Sequence, residues 1–398
     1  MNKRNPLRLA SPVIQILGIL AVFAVLAIAG RNFGANSFSL YSQETIKYDK
    51  AVIVEITGEV IQEAEDMPGL SLGTQTVIVR FLNGALKGEE VEIANHLSYT
   101  HNIRVNVGTR VIVKADRPEK AEPYYTIYNY DRTPGIIALA LILGALMAVV
   151  GRFKGIRSFL GLGVSLFIII AFLLPAIYKG WPPVLSSLAC VSLIAAFSIF
   201  LLNGFTLKAV AALASVMSGV LVSAMFYYLA SFLLPLYGYQ FEEAEELIMV
   251  SRATGLKIGE VMFSGVLVAS IGAVIDMSVS VASSMEEVLS KRPDMTPKEL
   301  FRSGMTVGGD MIGSMSSTLI LAFVGSSLAT LLALIAYGSQ LDQILSSDYA
   351  AMEIAYGLTS SMAVIAAVPI TAGLSALFYE REKGNAGRNG RKRRGKAQ

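Results

Sequence analysis

Two aspartates stand where an apolar chain has least room for charge. Asp276 lies inside Ser270-Ile-Gly-Ala-Val-Ile-Asp-Met-Ser-Val-Ser-Val-Ala-Ser-Ser284, and Asp310 lies inside Gly308-Gly-Asp-Met-Ile-Gly-Ser-Met-Ser-Ser-Thr318. A charge near mid-bilayer costs at least about 2.5–3.5 kcal/mol on insertion scales, so an intramembrane acid marks an ion path, a proton relay or a specific polar contact. At heptad steps the first segment reads Gly265, Ala269, Gly272, Asp276, Ser280, Ser283, Glu287, all small or polar, while Val266, Leu267, Val274, Ile275 and Val279 between them are apolar. That pattern gives a helix one polar face and one apolar face. In the second segment Asp310, Gly313, Ser314, Ser317 and Thr318 share a narrow arc at steps of three or four. Two consecutive helices thus each carry an acid and a hydroxyl-rich face. The expected ion or substrate path is Asp276, Ser280, Ser283, Asp310, Ser314, Ser317 and Thr318, with Gly265, Gly272 and Gly313 allowing close helix packing. The competing reading is that the stripe only permits packing and Asp276 bonds a neighbouring hydroxyl.

Other chemistry finds little support. Two acids on consecutive helices, with Pro369 downstream, superficially resemble an aspartyl intramembrane protease, in which a carboxylate pair shares a proton. Val307 breaks the Gly-x-Gly-Asp pattern, however, and Ile370-Thr371 follows the proline. His96 and His101 have no cysteine or regular acidic partner and read as solvated loop residues rather than metal ligands. The single Cys190 lies in an apolar run, which excludes a disulfide framework. No serine triad, nucleotide-binding glycine loop or metal cluster is apparent, so neither an enzyme nor a cofactor is expected.

The elements that must hold these residues follow from composition. The chain has 398 residues, 54% hydrophobic and only 16% charged, against about 25% charged in a typical soluble domain. A membrane-crossing helix needs roughly 20 apolar residues. Eight runs meet or approach that length: Val13–Ala29, Pro134–Val150, Phe159–Tyr178, Val184–Leu202, Leu207–Leu236, Ile258–Ser283, Ile312–Tyr337 and Met352–Tyr379. Eight crossings from a cytoplasmic amino terminus place Lys3, Arg4, Arg8, Arg152, Lys154, Arg157, Lys208, Lys291, Arg292, Lys298, Arg302 and the tail from Arg381 to Lys396 inside. Only Lys179, Arg252 and Lys257 fall in short outer loops, as the positive-inside rule requires. The first run lacks a clear small-x-small cleavage site and reads as an uncleaved anchor. In the linker from Met285 to Met305, Glu299–Ser303 is expected to form a short interfacial helix.

Residues 31–132 differ in kind. Ala51–Ile61, Thr76–Phe81, Glu90–Ile93, Arg110–Val113 and Tyr124–Tyr128 are short β-branched or aromatic runs separated by turn residues such as Pro68-Gly69 and Asn83-Gly84. They read as five strands of a small OB-like barrel outside the cytoplasm. The expected architecture is an α-helical polytopic membrane protein of about eight transmembrane helices with a small extracytoplasmic all-β domain. Its parts are residues 1–30 (cytoplasmic start and anchor), 31–132 (β domain), 133–380 (seven-helix core) and 381–398 (basic tail). Arg391-Lys-Arg-Arg394 reads as an anchor to anionic lipid, not a nucleic-acid site. Acids at the expected outer mouth (Glu242, Glu243, Glu245, Glu246, Asp342, Asp348, Glu353) would concentrate cations, although they read rather as ordinary solvated loop acids.

Several stretches carry a family resemblance: Gly272-Ala-Val-Ile-Asp276, Ser280-Val-Ala-Ser283 with Glu286, Leu300-Phe-Arg-Ser-Gly-Met305, then Gly308, Asp310, Gly313 and Thr318-Leu-Ile-Leu-Ala322. Together with Gly151-Arg-Phe-Lys-Gly-Ile-Arg157, they resemble the YibE/F-like family of bacterial multi-pass membrane proteins. The resemblance implies a preceding extracytoplasmic β module and a seven-helix core, and a description as permeases. Gly309 and Ser316-Ser317 depart from it, standing where the family often has an arginine and a Thr-Asn pair. The functional expectation is a permease for a small solute or ion, whose partners are the lipid bilayer and either a paired family member or further copies of itself. The alternative is a scaffold or sensor that works through the β domain.

Overall fold

The computed structural model describes residues 45–118, 122–204, 206–236 and 244–394. The first expected membrane run, Val13–Ala29, lies outside the described residues. The chain forms two compact units, which divide near Val149.

The first unit holds five strands: β1 (Ile46–Glu63), β2 (Ser71–Phe81), β3 (Glu90–Leu97), β4 (Arg110–Asp116) and β5 (Tyr124–Tyr130). Each expected strand run falls in one of them. They make one curled antiparallel sheet in the order β3-β2-β1-β4-β5. Gly58 lies within β1 and does not end it. β1 runs through it with two irregularities in register against β2, between Ile53 and Glu55 and between Ile56 and Gly58. Such bulges bend a strand and raise its twist, which lets one long strand serve two directions of a curled sheet. Near the start of β2, Gly73 has φ +129° and a Cβ there would sit 2.1 Å from the Val60 carbonyl oxygen of β1, so only glycine fits.

The alternating face of each strand supplies the core: Ala51, Ile53, Val77, Val79, Phe81, Ile93, Val111, Val113 and Ile127 are buried together. Two amides are buried with them, Gln75 (1% exposed) and Asn95 (2%). Both tie the loop before β4 to the sheet. Gln75 Nε2 donates to the Val105 carbonyl (3.0 Å), Val105 N donates back to Gln75 Oε1 (3.0 Å), and Asn95 Nδ2 donates to the Ile103 carbonyl (2.8 Å). The loop's backbone groups thus find partners inside the core, where an unpaired one costs about 1–3 kcal/mol. His96 lies on β3 rather than in a loop, and its Nδ1 is 3.0 Å from Thr74 Oγ1.

The helices are α1 (Thr133–Ile168), a π-turn (Ile169–Leu173), α2 (Leu174–Tyr178), α3 (Pro183–Asn203), α4 (Leu207–Leu233), α5 (Ala244–Thr254), α6 (Ile258–Lys291), α7 (Pro297–Ser326), α8 (Leu328–Ala336), α9 (Leu341–Leu345) and α10 (Asp348–Arg394). Among the described residues, six helical stretches are long and apolar enough to cross a membrane. The first, Thr133–Tyr178, has 46 residues, about 70 Å at 1.5 Å per residue, more than twice the hydrocarbon thickness of about 30 Å. It is broken at Arg152, whose φ of 49° and ψ of −134° are not helical. The two runs expected from sequence, Pro134–Val150 and Phe159–Tyr178, fall on either side of that break.

Two boundaries differ from expectation. Glu299–Ser303 lies within the first two turns of α7 rather than forming a separate helix. A capping box starts α7 at Thr296, whose N–H donates to Glu299 Oε2 (2.8 Å) while Glu299 N donates to Thr296 Oγ1 (3.3 Å). The expected run Ile312–Tyr337 is split at Ser327, where the Ser326 and Ser327 hydroxyls both turn back onto the Phe323 carbonyl (2.7 and 2.9 Å). Such back-bonding competes with the helix ladder and bends it.

Candidate functional site

α6 is the hub of the second unit, packing against α3, α4, α7 and α10. Its register with its neighbours can be read from close approaches. Gly265 faces Tyr356 of α10, and Ser278 accepts a hydrogen bond from Thr371 of α10 (3.2 Å), so α6 and α10 run parallel. Gly304 and Gly308 of α7 face Ala372 and Val368, and Gly357 faces Ile320 and Phe323, so α7 runs antiparallel to α10 and hence to α6. α6 and α7 meet where Gly304 lies against the Met285 side chain. From that contact Asp276 is nine residues along α6 and Asp310 six along α7, which puts the carboxylates at depths differing by about 4–5 Å at 1.5 Å per residue.

The two acids share a depth but not an enclosed chamber. Asp276 and Gly272 are exposed on α6, whereas Ser280 and Ser283 are half-buried. On α7 the buried residues are Leu300, Gly304 and Gly308, and the opposite face carries Gly309, Asp310, Gly313, Ser314, Ser317 and Thr318, all exposed. Thr318 Oγ1 donates to the Ser314 carbonyl (2.8 Å). Neither aspartate has a hydrogen-bonded or charged partner among the described residues. A Cβ built at Gly272, Gly309 or Gly313 would meet nothing within 4 Å, while one at Gly265 would sit 2.8 Å from the Tyr356 hydroxyl. Of the three glycines expected to serve packing, Gly265 therefore packs within the chain, and Gly272 and Gly313 present open backbone on an outer face.

A different set of α6 hydroxyls faces the core. Ser264 accepts from Ser187 of α3 (2.6 Å), Ser270 pairs with Ser223 of α4 (3.2 Å), and Ser278 accepts from Thr371 of α10. These pairs clamp α6 to three neighbours. Cross-helix hydrogen bonds of this kind average about 0.6 kcal/mol each. The sequence signal was present: residues 264, 270 and 278 keep roughly two-turn spacing, on a face adjoining the expected stripe. Among the described residues no group of three or more His, Cys, Asp and Glu could hold a metal ion.

In the first unit, Glu59, Ile61, Glu63, Gly69, Ser71 and Arg104 line a polar cleft of about 500 Å³. Arg104 pairs with Glu59 across it (3.3 Å).

A long helical bundle of this hydropathy, attached to a curled five-stranded sheet, defines a multi-pass membrane protein with a β module. The family model described as YibE/F-like protein matches residues 139–381, and the YibE/F family N-terminal domain matches residues 39–130. The chain belongs to the YibE/F family. No curated protein and no solved structure matches it.

Proposed function

We propose that this chain is a permease for a small solute or ion, and that Asp276 and Asp310 carry a cation or proton across the membrane. One observation carries the reading: two carboxylates at similar mid-helix depth, with hydroxyls beside Asp310, lie on outward faces where lipid cannot solvate them. Such faces need a protein neighbour or a water-filled path. We assign that neighbour to a second copy of the chain, with Gly309, Gly313 and Ser317 of α7 forming a shallow small-xxx-small groove at the contact. The path is then completed between copies, lined by Asp310, Ser314, Ser317 and Thr318 and approached from α6 by Asp276, Ser280 and Ser283.

The surrounding architecture follows the same reading. Splitting Thr133–Tyr178 at Arg152 and adding Val13–Ala29 gives eight crossings of the cell membrane, with both termini cytoplasmic by the basic-residue count. The β domain then lies outside. Its strand order β3-β2-β1-β4-β5, with β3 and β5 also approaching each other, suits an OB-like barrel. A reporter fused near residue 100 is expected to be active only as an exported enzyme, and cytoplasmic activity there would overturn this topology.

We read no hydrolase in the acid pair, because proton sharing needs carboxylates about 3 Å apart, and the two acids sit on different helices without a mutual contact. The polar cleft beside Arg104 favours a second reading, in which the β domain engages a partner and the helices act as scaffold.

Flux decides between them. In proteoliposomes, with and without a pH gradient, the wild-type chain should move protons or a cation, and Asp276→Asn and Asp310→Asn should each reduce flux at least tenfold per correctly inserted molecule. Asn keeps size and hydrogen bonding but cannot cycle a charge. Normal flux in both variants would remove the acids from the mechanism and leave the scaffold reading ahead.

A further inference from the structure

A second pocket lies away from the two aspartates, where the end of α7 meets α8, α9 and the start of α10. It encloses about 300 Å³, and Phe323, Leu331, Leu345, Tyr349, Glu353 and Gly357 are among its walls. Glu353 is the one acid that lines it, and the wall is otherwise almost wholly apolar. Glu353 Oε2 is buried and accepts no hydrogen bond among the described residues. The Ser327 hydroxyl, also at the wall, bonds the Phe323 carbonyl (2.9 Å) and lies within hydrogen-bonding reach of the Glu353 carboxyl, whose Oε2 it leaves unpartnered. Gly357 keeps the floor low, since a Cβ there would touch the Phe323 ring at 3.6 Å.

The chemistry of this wall selects its occupant. A neutral apolar molecule or an acyl chain would leave a carboxylate unpaired in a low-dielectric setting. A calcium ion needs six to eight oxygen ligands, and a primary ammonium needs three acceptors; the wall offers one carboxylate, with one unpartnered oxygen. A quaternary ammonium needs no hydrogen bonds. Its charge is matched by one carboxylate, its carbons by Leu331 and Leu345, and its field by the aromatic rings of Phe323 and Tyr349 in the wall. The volume is at the small end of ligand pockets, which start at about 300 Å³.

We propose that this cavity is a binding site for a small, free quaternary ammonium compound with an apolar body, held by Glu353. The site is separate from Asp276 and Asp310, so it stands or falls independently of the flux mechanism.

The probe is radiolabelled phenyltrimethylammonium, measured by equilibrium dialysis against the full-length chain in dodecyl maltoside, with tert-butylbenzene as neutral isostere. Wild type should bind one equivalent saturably, and the isostere should compete at least tenfold more weakly. Glu353→Gln, which keeps shape, should weaken phenyltrimethylammonium binding at least tenfold. Leu345→Trp fills the cavity from an exposed rim position and should abolish binding, which provides a second test if Glu353→Gln fails to fold. Absence of saturable binding to wild type, or unchanged affinity in either folded variant, overturns the proposal. So does equal competition by tert-butylbenzene. Displacement of the probe by added phosphatidylcholine would assign the cavity to a lipid headgroup and likewise overturn it.

Discussion

At the scale of single residues, Asp131 shows how a charge can be held at a junction. It ends the β module just before α1, with its side chain only 2% exposed and its carboxylate 3.2 Å from Lys50 Nζ. Thr133 N donates to its Oδ1 (3.1 Å). The hydrogen bonds from Thr133, then Lys50, hold its carboxyl below the ordinary range despite the opposing effect of burial. A carboxyl with a depressed folded-state pKa contributes stability that is present above its unfolded value, about 3.9, and is lost as pH falls through the lower folded value. Asp131→Asn should therefore lower the thermal midpoint of the β module near neutral pH and flatten its fall as pH drops below about 4. Parallel melting curves of the two proteins throughout that acid range would show that Asp131 has no such role. By contrast, the carboxylates on α6 and α7 owe their interest to faces rather than to partners, and their types and spacing were legible from sequence. What sequence could not give was direction. A heptad stripe says that Asp276 and Ser280 lie near one line, but whether that line faces a neighbouring helix depends on how the helices dock.

At the scale of elements, the strands and most helices were legible because their signals are local. β-branched alternation marked all five strands, and run length marked the apolar helices. The misjudged boundaries were those decided by hydroxyl groups. Thr296 and Glu299 cap α7 about four turns before the apolar run begins, and Ser326 and Ser327 end it inside the run. The core hydroxyls Ser264, Ser270 and Ser278 were overlooked because serine on a membrane helix is as common in packing as in function. α7 separates packing from function along its own length. A Cβ at Gly308 would sit 2.3 Å from Val368 Cγ1, whereas one at Gly309 would meet nothing within 4 Å. Gly308→Leu should consequently force α7 off α10, costing about 1–3 kcal/mol by overpacking. Gly309→Leu should leave the folded chain's thermal stability near wild type. Comparable melting of the two variants would mean that the α7–α10 contact is not tight.

At the scale of the whole molecule, the polar face of α7 is the feature that one chain leaves incomplete. Elsewhere the outward residues of the bundle suit lipid, among them Leu185, Leu193, Leu221, Phe232 and Leu377. On α7 the same outward position is held over three turns by glycine, aspartate, serine and threonine. The one apolar run outside the described residues, Val13–Ala29, contains a single strongly polar side chain, Gln15, near one end. It cannot match a polar arc extending from Gly309 to Thr318. A second copy can, because under two-fold symmetry the same face supplies both sides of the contact. Parallel α7 helices crossing at Gly309 and Gly313 would bring two Asp310 carboxylates to one depth near the axis, where they could share a cation or proton. The single Cys190 is buried, so Cys190→Ala gives a background for cysteine scanning. In that background Gly313→Cys and Ser317→Cys should form disulfide-linked dimers in native membranes under mild oxidation. Met311→Cys, whose side chain packs toward the core, should not. Cross-linking that fails at 313 and 317, or that proceeds equally well at 311, would mean that a different protein covers this face, and the path through paired Asp310 residues would be lost with it.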